Sequence, residues 1–214
     1  MNIVNILLGL LFGVIAYELG STLWRNRYRA PYILSVWRRF TPILLVEVVL
    51  VYTAASALIY VLWAYVPGLG WGWYNLLNRG GGNYFIAAPA DFLAKPLAVG
   101  FFLLVILLLP FLAEYEEKAF RKGKHKPDEW IPASIAFGFI HLIMGIPIAV
   151  GFGLTVVGLA LAWKYLTSYE RYLEEHPYAR LYDAEDEGVQ SSIAMHTLAN
   201  TIMVSFVALG VIIT

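Results

Sequence analysis

The chain has 214 residues, of which 60% are hydrophobic and 14% charged, with a mean hydropathy of +0.67 and a formal net charge of zero. A soluble domain carries about 25% charged residues, so the composition excludes an ordinary soluble domain, and the charge balance argues against a nucleic-acid partner. There is no cysteine, which excludes a disulfide framework, a thiol nucleophile and a Cys-based metal site.

A spanning helix needs about 20 apolar residues, and the hydrophobic pattern predicts about six of them in chain order. The first is Ile3–Trp24. The N-terminus, Met1-Asn2-Ile3-Val4-Asn5, lacks a basic n-region, so this run is expected to be a retained span. A basic, proline-containing segment follows, with Arg25, Arg27, Arg29, Arg38 and Arg39, then a second span, Pro42–Val66, that holds Glu47. Residues 67–95 are rich in Gly and Trp and are expected to lie along the interface, where Trp and Tyr concentrate. The third span, Pro96–Ala113, runs into the acids Glu114, Glu116 and Glu117. Ile131–Ile146 and Ile148–Tyr165 are the fourth and fifth, separated by a tight turn at Gly145 and Pro147. Residues 167–188 form a polar, acidic segment whose 170–187 run is read as a solvated cytoplasmic face, with selection of a basic partner as the alternative, and His125 and His176 are read as solvated loop residues. Gln190–Ile213 is the sixth span.

Lys and Arg set the orientation. The loops after spans one, three and five carry 13 of them, against 2 (Arg79 and Lys95) after span two. The positive-inside rule puts the first set in the cytoplasm and both termini outside. The expected architecture is an all-α polytopic transmembrane helical bundle forming a single domain over residues 1–214, in contact with membrane lipid.

Three polar constellations stand out from the apolar background. Glu116 and Glu117 are followed by Arg121, which shares a helix face with Glu117. Phe137 precedes His141 by one turn in the fourth span, and His196 precedes Asn200 by one turn in the sixth. Ionisable groups at membrane depth are expensive and commonly functional. A carboxylate beside an imidazole can deprotonate a water, and imidazole and carboxamide N–H groups can stabilise an oxyanion. The chemistry such a set supports is hydrolysis. One geometric demand accompanies it: Glu116 lies about 30 Å along a span drawn from Pro96, shallower than the histidines. The third span must therefore tilt, start later, or kink at Pro110.

Glu116-Glu117-Lys-Ala-Phe-Arg121 fits an EExxxR pattern, Phe137–His141 fits FxxxH, and His196–Asn200 fits HxxxN. In order and topology, residues 97–213 resemble the CPBP intramembrane proteases, the CAAX-protease and bacteriocin-processing (Abi) family. The stretch Gly158–Thr167 is similar to the glycine-containing helix usual there. The pattern departs at Lys118-Ala119, which replace an apolar pair, and at a glycine displaced to Gly123. The resemblance implies a glutamic-type intramembrane endopeptidase (formerly classed as metallo-) in a prokaryotic plasma membrane, with its site toward the cytoplasm. Glu116 would activate water with His141, His196 and Asn200 would form the oxyanion site, and Glu117 and Arg121 would support the geometry. The substrate would be a membrane-associated, lipidated or CAAX-like peptide or protein, with no cofactor required.

Two further readings use the same residues. The chain could be a non-catalytic member of that family, a scaffold or accessory subunit bound to other membrane subunits. It could also be a haem or zinc protein using His141 and His196, with the glutamates for zinc; the absence of His-x-x-x-His or HExxH spacing disfavours this. The bland alternatives are a helix-end Glu117–Arg121 salt bridge and histidines bonded to a neighbouring helix. Glu47 is expected to pair across a helix interface or stay protonated.

Overall fold

The computed structural model describes residues 13–14, 17–18, 20–66, 68–72 and 94–213, and every regular element among them is helical. A 3-10 turn at Arg27–Arg29 leads into α1 (Ala30–Arg38). Then come α2 (Pro42–Tyr65), α3 (Ala94–Phe120), α4 (Pro127–Ile140), α5 (Ile148–Glu175) and α6 (Leu181–Ile213). Among the described residues four segments are long and apolar enough to cross a membrane: Pro42–Tyr65, Val99–Phe120, Ile148–Glu175 and Leu181–Gly210. The chain is thus read as a helical membrane protein.

The first expected span lies mostly outside the described residues, as does most of the Gly/Trp-rich loop. The fourth differs from expectation. Helix α4 has 14 residues and gives way to a 3-10 turn, His141–Met144, which is short for a spanning helix. Gly145 follows in the left-handed region (φ 83°), where a residue with a Cβ is strained, and Pro147 opens α5 with extended backbone. The turn is therefore written into these residues.

The acidic stretch 167–188 is not an extended solvated loop. Helix α5 continues to Glu175 and α6 starts at Leu181, leaving a short connection. Helix α3 likewise runs beyond Ala113, and its apolar segment is Val99–Phe120. The helix ends later than drawn from the sequence, so both glutamates fall in its last turns. Gly123, with φ 75°, follows the end of α3, and its N–H donates to Tyr165 Oη of α5 at 3.2 Å.

Helix α5 is central: it packs on α4, α6 and α2, and α6 in turn packs on α3. Close approach explains the glycines of α5. A Cβ on Gly158 would meet the Ser134 carbonyl oxygen at 2.9 Å and Phe137 Cδ1 at 3.1 Å, so α4 lies directly against this backbone. The buried core runs through Val48, Phe137, Leu161, Tyr165 and Ile193. The outer face of α2 keeps residues such as Ile43 and Leu50 exposed, as a lipid-facing surface requires.

Candidate functional site

Three helices deliver the charged cluster. Helix α3 carries Glu116, Glu117 and, just past its end, Arg121; α6 enters from the opposite direction with Ser192 and His196; α4 supplies Phe137. Glu117 and Arg121 have no side-chain exposure at all, and His196 has 4%. Glu117 Oε1 lies 2.8 Å from His196 Nδ1. Its Oε2 accepts from the Ser192 hydroxyl and lies 3.6 Å from Arg121 Nε. Ser192 Oγ is also 3.1 Å from the Leu161 carbonyl oxygen on α5, so its single proton serves one acceptor at a time.

Arg121 is held less by hydrogen bonds than by packing. Its Nη1 donates to the Phe120 carbonyl oxygen at 3.2 Å, while Nε and Nη2 are buried without a hydrogen-bond partner among the described residues. The guanidinium carbon lies 4.9 Å from the centre of the Phe137 ring, a cation–π contact that gains strength where water is excluded.

Glu116 is the accessible acid of the set, with its side chain 34% exposed. Its Oε2 has no hydrogen-bond partner among the described residues and lies 3.7 Å from His196 Nε2, longer than a hydrogen bond. The His196 imidazole therefore has a carboxylate toward each nitrogen. With Nδ1–H donated to Glu117, the Nε2 lone pair of the neutral ring faces Glu116. An imidazole placed in this way can take up or release a proton at Nε2 while the Glu117 bond holds its orientation.

His141 is half-buried at the end of α4, and its Nδ1 donates to the Phe137 carbonyl oxygen one turn back, 2.7 Å away. The Phe137 ring stands edge-on to both histidines, with centroids 5.0 Å from His141 and 5.5 Å from His196. Phe137 thus bridges the two imidazoles. Asn200 lies one turn beyond His196, half-buried, and its amide makes no hydrogen bond among the described residues. The fold thus brings Glu116, Glu117, Arg121 and His196 into direct proximity and joins His141 to them through Phe137. No hydrogen bond or ion pair among the described residues ties Asn200 to the rest.

Ser192 is the member that sequence reasoning missed. The signal was present: Ser192, His196 and Asn200 recur every four residues and share one face of α6. A serine in an apolar helix is usually satisfied by its own backbone, so the spacing alone did not single it out.

Among the described residues no group of three or more His, Asp or Glu side chains is arranged to hold an ion. Glu116 and Glu117 approach opposite nitrogens of His196, so the two carboxylates cannot share a metal with that ring.

Around the cluster the remaining acids are paired. Glu114 bridges Arg29 and Lys118, each at 2.6 Å. Glu185, Asp186 and Glu187 reach His125 (3.2 Å), Lys122 (2.8 Å) and Arg39 (2.6 Å). Glu185, Asp186 and Glu187 therefore clasp two basic segments, around Arg39 and over Lys122–His125, which corrects the solvated reading for these three acids, while Glu170, Glu174 and Glu175 are exposed. His125 is likewise no free loop residue, because its ring also packs 4.4 Å from that of Tyr169. Glu47 pairs with Lys164 across α2 and α5 at 2.7 Å, the first of its two expected fates. The hydrogen bond to Asp186 raises the pKa of Lys122.

Comparison of the chain with protein-family models, curated proteins and solved structures returns no match.

Proposed function

We propose that the chain is a CPBP-like intramembrane endopeptidase that hydrolyses a peptide bond near the cytoplasmic face of a prokaryotic plasma membrane. The observation that carries this reading is the convergence of all three motifs. Glu116, Glu117 and Arg121 meet His196 directly, and Phe137 ties His141 to the same place.

Glu116 is the base: of the two adjacent glutamates it is the one whose side chain is partly exposed, and its Oε2, buried against His196 Nε2, is free of hydrogen bonds among the described residues. It takes a proton from the attacking water. His196 Nε2, held beside it by Glu117, receives that proton or passes it to the leaving amine. Asn200, whose amide has no partner among the described residues, supplies N–H groups to the developing oxyanion. His141, with Nδ1 fixed on the Phe137 carbonyl, offers Nε2 to the same water. Glu117, Ser192 and Arg121 position the ring and take no part in bond making. No cofactor is required. The substrate is the membrane-associated tail of a peptide or protein, lipidated or CAAX-like. Both termini then lie outside.

The test is hydrolysis of a quenched membrane-tethered peptide library by the purified protein in lipid nanodiscs. Glu116→Ala and His141→Ala are expected to lose about 100-fold or more of the rate, the scale of general acid–base catalysis, with unchanged thermal unfolding. Undiminished cleavage by both variants overturns the assignment of roles.

One observation favours a second reading, a non-catalytic scaffold. Glu117, Ser192 and His196 satisfy one another internally, as a purely structural clasp would. A stable stoichiometric partner in native mass analysis, together with wild-type behaviour of Glu116→Ala in cells, favours the scaffold.

A further inference from the structure

Away from the carboxylate cluster, a cleft opens between the α1–α2 corner, α5 and α6. It has a volume of about 300 Å³ and is lined by three cations, Arg39, Lys164 and Arg171, and three hydroxyls, Thr41, Ser168 and Ser191. That volume lies at the lower end of the small-molecule range. Its apolar floor is formed by Leu44 and Ala194. An outer cavity of about 390 Å³ adjoins it, shares Ser168, Arg171 and Ser191, and adds Glu175 and Glu187.

The charges of the cleft do not cancel. Glu187 holds Arg39 through two bonds, at 2.6 and 2.9 Å, and Glu47 holds Lys164 at 2.7 Å. Arg171 is exposed and has no ion pair or hydrogen bond among the described residues. Arg39 and Lys164 are thus paired and Arg171 is not; Glu175, a further acid, lines the outer cavity and not the inner cleft. Lys164 also keeps two of its three N–H donors after bonding Glu47. This is a setting for one singly charged anion with several acceptor oxygens and an apolar attachment.

We propose that this cleft binds a phosphate diester, namely the headgroup of an anionic membrane lipid, with Arg171 as the principal ligand and Lys164 and the hydroxyls completing the shell. Three features point to lipid as the source. Lys164 belongs to a helix segment apolar enough to span, with Trp163 exposed beside it, and Trp concentrates at the headgroup level. Helix α2, which lends Leu44 to the cleft, has an exposed apolar face, including Ile43 and Leu50, that offers acyl chains a surface. Arg39, just past α1, and Lys164 and Arg171, in the C-terminal half of α5, also lie at the ends that the positive-inside rule places in the cytoplasm, on the anionic leaflet. Free inorganic phosphate has the same acceptor chemistry and lacks the acyl chains.

The experiment is thermal unfolding of the full chain in a neutral detergent, titrated with dioleoyl phosphatidylglycerol, dioleoyl phosphatidylcholine or inorganic phosphate. Phosphatidylglycerol is expected to raise the midpoint saturably, and phosphatidylcholine, whose choline cation meets a positive cleft, much less. Arg171→Gln should raise the half-saturating concentration about tenfold, the loss of one charge-assisted hydrogen bond. Arg180→Gln, which removes an exposed cation outside the cleft, should leave it unchanged. Inorganic phosphate matching phosphatidylglycerol in an Arg171-dependent way keeps the site and makes free phosphate its ligand. Equal responses to the two lipids, an undisturbed Arg171→Gln, or an equal loss in Arg180→Gln each overturn the proposal.

Discussion

Glu117 and Glu187 both face an arginine, but in surroundings that make the two pairs different objects. Glu117 and Arg121 are wholly enclosed, and Glu117 relies on His196 and Ser192 for its hydrogen bonds. Glu187 and Arg39 are each about one-third exposed and make a bidentate contact. Water and ions reach the second pair and not the first. Desolvation makes the enclosed pair expensive to form and more expensive to break, whereas the outer pair exchanges protein contacts for water at little net change. The inner pair therefore holds geometry, and the outer clasp holds the helix α6 extension against the basic segments.

The sharpest way to break this contrast is to remove one inner partner. Glu117→Ala leaves Arg121 buried with no counter-charge and should destabilise the fold by about 3–5 kcal/mol. Replacing Arg121 by Met as well should recover part of that loss. Both are read by thermal or denaturant unfolding in detergent. A loss below about 1 kcal/mol in Glu117→Ala, the scale of an exposed pair, would show that water reaches the cluster. Ser192→Ala comes next. It removes one hydrogen bond to a buried carboxylate, a loss of about 1–3 kcal/mol, with the Glu117–Arg121 pair intact. If the proposed mechanism holds, Ser192→Ala should also lower cleavage far less than Glu116→Ala.

The outer clasp should respond weakly. Arg39→Gln or Glu187→Gln is expected to shift stability by about 1 kcal/mol or less, and raising NaCl from about 0.05 to about 1 M should erase that difference by screening. The same salt change should leave the effect of Glu117→Ala intact. The smallest effect separates ion pairing from capping. Glu129 accepts from the backbone N–H groups of His125 and Lys126 at 3.0 and 3.1 Å, and those bonds hold its pKa below the usual carboxylate value. Its contribution is then present above the unfolded pKa and disappears as pH falls through the lower folded one. Glu129→Gln should flatten a slight acid-side loss of stability in a pH series of unfolding midpoints, with little response to salt.

Much of the architecture was legible in the chain. The apolar runs of α2, α5 and α6, the turn at Gly145 and Pro147, and the pairing of Glu117 with Arg121 follow from local rules of composition, backbone freedom and helix spacing. So does the shared face of His196 and Asn200. The acids Glu185, Asp186 and Glu187 and His125 differ from expectation for a common reason. They look solvated because a polar run has no local partner. Their partners, Arg39, Lys122 and Glu185, come from distant segments or from the far side of a turn.

The sequence by itself determined a helical membrane protein and the identity of nearly all its buried ionisable groups, because helix periodicity and the cost of charge in an apolar medium act locally. Only the tertiary structure decided what those groups do to one another. It put Ser192 on Glu117, set the two glutamates at opposite nitrogens of one imidazole, and placed Phe137 between the two histidines. Those arrangements depend on how α4 and α6 pack on α5 and α3 packs on α6, and that packing includes close backbone approaches such as Gly158 of α5 on Ser134 of α4, which no single helix encodes.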